Sequence, residues 1–378
     1  MPPLSPARSK RLLTPGAFDR RSFLRIISQS AAAIGLSAAG ARQLAAAVTK
    51  GPRPSVIWLH YQECTGCTES LLRTSHPGLA ELVLDLISLD YHETLMAAAG
   101  KQAEAALQSA MRANAGKYIC IVEGAIPLAH GGDYMRVGGR AGVDALKEVA
   151  ASAGLVVAIG SCASWGGIPS ADPNPTGAVG AHDVLEGRSV INLPGCPANP
   201  YILLGVALQF ATLGKLPELD PQNRPKFAYG RTIHEHCPRR AHFDAGRFAN
   251  RFGDDGHREG YCLYRLGCKG PATHASCSTN HFCEVVDAWP IGLGHPCFGC
   301  TEQSLAFRVP MFETVNIQRP KPPDTYPGIT ADHGSISPLA TGIAGIAGGA
   351  VLGLSGKVAR MLQEPPPKPP ETGEKGES

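Results

Sequence analysis

The sequence predicts an α/β chain in two parts, a parallel-sheet domain followed by a smaller, irregular region. Three observations carry this. Short apolar runs of strand length alternate with helix-like segments as far as residue 220, that alternation then stops, and beyond it Gly, His, Arg and Cys become dense. The 378 residues, 43% hydrophobic and only 18% charged, exclude a disordered, collagen-like or coiled-coil chain. The formal charge of +3 is misleading, because residues 1–47 hold seven Lys/Arg against one Asp, so the remainder sums to −3. Nucleic acid therefore loses its electrostatic support and is not an expected partner.

Residues 1–47 read as a signal peptide. Arg20-Arg21-Ser22-Phe23-Leu24-Arg25 is a twin-arginine run, Ile26 to Ala41 is weakly apolar, and Ala45-Ala46-Ala47 supplies small residues at the point where cleavage is expected. An amphipathic surface helix is the competing reading, but Ser and Gly interrupt its periodicity. The twin-arginine route carries proteins already folded around their cofactors, so a cofactor inserted before export is implied.

The sheet domain is placed at residues 53–220. Strands are expected at Val56–Leu59, Leu82–Leu89, Tyr118–Val122, Leu155–Ile159 and Val190–Leu193, with helices at Thr94–Asn114, Gly142–Ala153 and Asn199–Leu213. The alternation is that of a flavodoxin-like parallel sheet, whose ligands lie outside the carboxyl ends of the strands. Cysteines sit at those ends. Cys64 and Cys67 follow the first strand, Cys162 the Leu155 strand and Cys196 the Val190 strand, so four thiols share one edge.

An exported chain with twelve cysteines invites a disulfide framework. The size of the domain and the C-x2-C pairs Cys64/Cys67 and Cys297/Cys300 point instead to a metal. Four thiolates suit either structural zinc or a 4Fe-4S cluster, and Gly66, Gly160 and Gly195 favour the cluster, which needs close backbone approach. Cys120, inside an apolar strand, reads as core.

Residues 221–327 form the second region. His234 and Cys237 give an H-x2-C pair, Cys262 and Cys268 follow, and Cys277, Cys297 and Cys300 complete the set. So many ligands with so little periodicity imply a region organised by its metals. From Gly334 to Gly356 there is no charge, and 23 residues at ~1.5 Å each span a ~30 Å hydrocarbon core, so a C-terminal membrane helix is expected. Gly345, Gly349 and Gly353 give it one flat face, and Lys357 and Arg360 follow on what would be the cytoplasmic side. A Gly/Ala-rich linker is the alternative. Residues 364–378 read as a disordered tail.

The segments ECTGCTES, GSCASWGG, LPGCPANP, HEHCPRRAHFDAGRF, GYCLYRLGCKGP and GHPCFGC, in that order, resemble the small, electron-transferring subunit of membrane-bound nickel-iron hydrogenases. The resemblance runs from about Ser55 to Gln303. It implies a proximal 4Fe-4S cluster on Cys64, Cys67, Cys162 and Cys196, a distal 4Fe-4S cluster on His234, Cys237, Cys262 and Cys268, and a medial 3Fe-4S cluster on Cys277, Cys297 and Cys300. Pro290 would stand where a fourth medial ligand is missing, with Cys283 in the same loop as its competitor. Additional cysteines found near the proximal cluster in oxygen-tolerant relatives are replaced here by Gly66 and Gly167. The resemblance further implies a large subunit holding the nickel-iron centre, a membrane electron acceptor such as a cytochrome b, and a place on the periplasmic side of the cytoplasmic membrane. Loops around Cys64 and Cys162 would meet the large subunit, with Glu63 and Glu69 either at that contact or in salt bridges. An exported zinc-stapled binding module and a cluster subunit of a quinone-reducing complex are the alternatives.

Overall fold

Apolar residues alternate between the two faces of the strands, and both faces are covered, as a parallel sheet requires. The computed structural model describes residues 53–317, apart from 76–77, 80–81, 83–85 and 283–284, together with residue 322. The expected signal peptide, the uncharged stretch at 334–356, the tail and Cys283 lie outside the described residues.

Five strands, β1 (Ser55–His60), β2 (Ser88–His92), β3 (Ile119–Glu123), β4 (Leu155–Ile159) and β5 (Val190–Leu193), form one sheet in the order β2–β1–β3–β4–β5. Every neighbouring pair is parallel. The main helices are α1 (Gly66–Leu72), α2 (Lys101–Ala113), α3 (Gly142–Ala151), α4 (Gly160–Trp165) and α5 (Pro200–Leu213). On one face Ile57, Val122 and Val156 pack with Leu107 of α2 and Leu146 of α3. On the other, Trp58, Ile121 and Val157 pack with Leu71 of α1 and Val206 of α5. Each fully buried aliphatic side chain contributes about 1.5–3 kcal/mol relative to exposure, so the two layers hold the sheet without any cofactor. Cys120 lies in the first of these layers, fully buried, as expected of a core residue.

Two elements differ from the sequence expectation. Of the Leu82–Leu89 run, the described residues before Ser88 are not strand: Leu82 N–H bonds Gly78 O, Ile87 N–H bonds Leu82 O at 3.0 Å with π-helical spacing, and the strand begins only at Ser88. A short buried apolar run cannot be assigned to strand or helix by periodicity alone. The helix expected from Thr94 starts at Lys101, because Gly100 enters it at φ +54°, a conformation that ends the preceding turn.

After α5 the described residues carry only short helical turns and isolated bridges. Their hydrophobic cluster consists of Ile233, Ala249, Leu263, Leu266, Ala275, Trp289 and Ile291 together with Cys268 and Cys297, so candidate ligands are themselves core residues. Arg224 is buried within this part. Its guanidinium donates to Asp220 Oδ2 (2.7 Å), Thr301 O (2.9 Å) and Glu302 Oε1 (2.9 Å), leaving a buried cation with its charge paired. Among the described residues no helix is long and apolar enough to cross a membrane.

Candidate cluster-binding sites

The expected thiols at the sheet edge come together. Cys67 lies in the first turn of α1, β4 runs straight into α4 with Cys162, and Cys196 stands three residues beyond β5. Glycine permits the approach: a Cβ on Gly160 would stand 2.6 Å from Cys67 Sγ, one on Gly167 2.6 Å from Cys162 Sγ, and one on Gly66 3.0 Å from Cys64 Sγ. Gly160 and Gly167 also hold φ of +84° and +51°, the left-handed region that a side chain would strain.

Mutual proximity shows in the acidities. Burial first, and Cys196 second, push Cys162 up to about 12, with Cys64 adding to it. Burial followed by Glu123 raises Cys67 well above the usual thiol range, with Cys162 and Cys196 contributing, and burial followed by Cys64 raises Cys196. Cys67, Cys162 and Cys196 thus resist joint ionisation unless a strongly positive group lies beside them. Ala198 N–H already donates to Cys67 Sγ at 3.5 Å.

Glu123, which the sequence reading passed over, anchors this corner. At the end of β3 and 2% exposed, its carboxylate accepts from Cys67 N–H (3.0 Å), Thr68 N–H (3.1 Å), Thr68 Oγ (2.6 Å) and Trp58 Nε1–H (3.0 Å). The signal was present as a carboxylate closing an apolar strand. Glu63 lies 3.2 Å from His60 Nδ1 and accepts from Thr65 Oγ, while its Oε2 is buried without a partner. Glu69 is exposed and paired with Arg73, the salt-bridged role.

His234, Cys237, Cys262 and Cys268 line one cavity, with Arg239, Tyr264 and Gly270 among its walls. His234 Nε2 is buried and has no hydrogen-bond partner, and burial, with Arg240 second, pushes the imidazole down to about 4, so the ring is neutral and available to ligate. Burial pushes Cys237 up to about 12 and Cys262 up to about 11. Cys277, Cys297 and Cys300 line another, larger cavity with Pro290, Trp289, Phe282 and Phe298. Burial pushes Cys277 up to about 11 and raises Cys297 and Cys300 beyond it.

The donor chemistry fits iron–sulfur clusters. Every cysteine among the described residues is unpaired, so no disulfide competes. An orphaned imidazole nitrogen and glycines without room for a Cβ complete the fit. The cavities are also contiguous: Cys196 borders the larger one, and Ile233 borders both.

Two family models match the chain. Residues 64–210 match the NADH ubiquinone oxidoreductase 20 kDa subunit and residues 229–313 the C-terminal part of NiFe/NiFeSe hydrogenase small subunits. The Hydrogenase-2 small chain of Escherichia coli K12 is 48% identical over 352 residues, 93% of this chain and 95% of the relative. The periplasmic [NiFe] hydrogenase small subunit 1 of Nitratidesulfovibrio vulgaris is 48% identical over 286 residues, 75% of this chain and 89% of the relative. Among solved structures, the [NiFeSe] hydrogenase of Desulfovibrio vulgaris Hildenborough in the oxidized state superimposes with a TM-score of 0.64 at 34% identity, over 70% of this chain and 99% of that one.

Proposed function

From the premise that this chain belongs to the nickel-iron hydrogenase small subunits, we propose that it conducts electrons through three clusters held by the three donor sets described above. Small subunits of this family carry iron–sulfur clusters and serve as electron-transfer partners of a large catalytic subunit, which holds the nickel-iron site, so the hydrogenase activity belongs to the complex. Periplasmic relatives point to a periplasmic location.

The finer proposal is a proximal 4Fe-4S cluster on Cys64, Cys67, Cys162 and Cys196, a medial 3Fe-4S cluster on Cys277, Cys297 and Cys300, and a distal 4Fe-4S cluster on His234, Cys237, Cys262 and Cys268. The observation that carries it is contiguity: three donor sets follow one another, with Cys196 at the border of the first and second and Ile233 between the second and third. When bound, such clusters supply one-electron carriers whose potentials follow ligand type, hydrogen bonds and burial. The chain's part is to present thiolates, to keep His234 as a neutral ligand, to aim the Ala198 N–H at Cys67, and to exclude water with Ile202, Tyr229, Phe282 and Phe298.

We propose a flavodoxin-like domain at 53–220 and a cluster-rich domain at 221–327, a division supported by the strand order and by the hydrophobic cluster after α5. Export by Arg20-Arg21, anchoring by residues 334–356 and a cytochrome b as membrane acceptor rest on the sequence pattern. The quinone-reducing alternative draws on the match over residues 64–210 but leaves the second ligand set without purpose.

The test is the iron and acid-labile sulfide content of the purified heterodimer with each ligand cysteine changed to Ser, read with electron paramagnetic resonance. A sharp, near-isotropic oxidised signal that survives Cys283→Ser is expected of the three-iron medial centre. A wild type without that signal, gaining it in Cys283→Ser, would show Cys283 to be a fourth ligand.

A further inference from the structure

The boundary between the first and second donor sets is held by a side chain that ligates nothing. Ser161, 1% exposed in the first turn of α4, lies between Gly160 and Cys162. Its Oγ donates to the carbonyl of Cys300 at 2.6 Å and accepts from Gly195 N–H at 3.2 Å, while its own N–H donates to Gly195 O at 2.8 Å. One residue thus fastens the Cys162 turn and the Cys196 loop to the backbone of a medial ligand. Beside it the Cys196 backbone hydrogen-bonds the Cys300 thiol.

The boundary between the second and third sets has the same layout. Lys269 N–H, next to Cys268, donates to the Cys297 carbonyl at 2.7 Å, and the Cys297 backbone hydrogen-bonds the Cys268 thiol. There the carbonyl is met by a main-chain N–H. At the first boundary the carbonyl is met by a serine hydroxyl, which a single substitution removes.

We propose that Ser161 is a positioning residue for electron passage between the proximal and medial sites: its hydroxyl fixes Cys300 against the loops of Cys162 and Cys196 and so sets the alignment of the two centres. This rests on the ligand sets proposed above. Each passage oxidises the proximal centre by one electron and reduces the medial centre by one; no bond forms or breaks, and the Ser161 proton stays on its oxygen. A buried hydrogen bond of about 1 kcal/mol favours the aligned conformer about fivefold over loosened ones, so its loss slows passage by up to about fivefold.

The experiment uses the full heterodimer. Ser161→Ala, Ser161→Thr and Ser161→Cys are compared with Ser164→Ala, a buried serine on the same helix whose hydroxyl contacts Ala158 O and not Cys300. Iron content, the magnetic interaction between the proximal and medial signals, and the rate at which the medial centre is reduced after rapid mixing with hydrogen are recorded. Expected are full iron in all, slower medial reduction and an altered interaction in Ser161→Ala, recovery in Ser161→Thr, and wild-type behaviour in Ser164→Ala. Full iron with an unchanged rate in Ser161→Ala overturns the proposal, as does equal slowing in Ser164→Ala. Should Ser161→Ala fail to assemble, Ser161→Cys, close in size but a weak donor, decides in the same way. If Cys162→Ser and Cys300→Ser leave the iron content intact, it is the ligand assignment that has failed.

Discussion

Gly160→Ala isolates the steric demand of the proximal site. The added methyl would stand 2.6 Å from Cys67 Sγ on a residue whose φ is +84°. Left-handed backbone costs a non-glycine residue about 1–2 kcal/mol. Overpacking adds about 1–3 kcal/mol. Against a stability of about 5–15 kcal/mol the sheet still folds. The sulfur is a different matter: reaching ordinary contact at 3.4 Å requires a retreat of about 0.8 Å, against a tolerance of about 0.2 Å for a metal–ligand distance. The heterodimer should therefore lose one four-iron centre per chain, read as iron and acid-labile sulfide. Gly187→Ala is the control, with φ +74° and nothing within 4 Å of the added Cβ, so it carries the backbone cost alone. Gly160→Ala with its full iron would refute the steric reasoning, and equal iron loss in Gly187→Ala would move the cause to backbone strain.

Glu123→Ala strands four buried donors, and at about 1 kcal/mol each it should cost about 4 kcal/mol, lowering the unfolding temperature by roughly 8–16 °C; a drop of only a degree or two would show that water replaces the carboxylate. For pH, burial first and His60 second push His92 down to about 4 from its ordinary 6.5, while burial pushes Glu93 up to about 7 from 4.5. The unfolded chain binds the extra proton at His92 between about 4 and 6.5, so that term stabilises with rising pH, whereas the folded chain holds it at Glu93 between about 4.5 and 7, so that term destabilises. The two offset in the wild type; Glu93→Gln should make stability climb with pH from 4 to 6.5, and a flat thermal-shift profile for the variant would contradict the His92 assignment. Lys269→Met removes a fully buried ammonium that donates to Pro310 O and Met311 O at 2.9 Å each, so residues 310–317 should become protease-sensitive while the sheet core stays resistant. Cys120→Ala should leave iron content unchanged and cost about 1 kcal/mol, since it deletes only a buried sulfur; lost iron would make Cys120 a ligand.

Legibility followed physical period. Leu155–Ile159 and Val190–Leu193 were readable because a doubly covered parallel strand is a bounded apolar run, and the structure returns both with those bounds. Leu82 to Leu89 misled for the same reason: buried helix and buried strand look alike over eight residues. The thiols at the sheet edge were legible from the rule that parallel sheets bind at their carboxyl ends. Glu123 and Ser161 were not. Their partners are Cys67 and Thr68 N–H for one and Cys300 O for the other, contacts 55 to 139 residues away in sequence that no local pattern records.

The two halves of the chain depend on their ligands to different degrees, and the difference orders assembly. In the sheet, the apolar layers on both faces are complete without the edge thiols, and only Cys67 of the four proximal residues enters a hydrophobic cluster. After α5, Cys268 and Cys297 are part of the core, with Cys237 and Cys277 packed against it, and the backbone is organised as turns rather than ladders. Thiols raised by burial must shed their protons when they bind iron, so filling these sites is coupled to closing this core. Trp165 Nε1–H of α4, which donates to Thr301 O at 3.3 Å next to Cys300, joins that core to the sheet domain. Cys262→Ser should accordingly loosen residues 221–317 to limited proteolysis and leave the sheet resistant, whereas Cys64→Ser should open neither; equal protection of both regions in both variants would mean that the second core closes without its ligands.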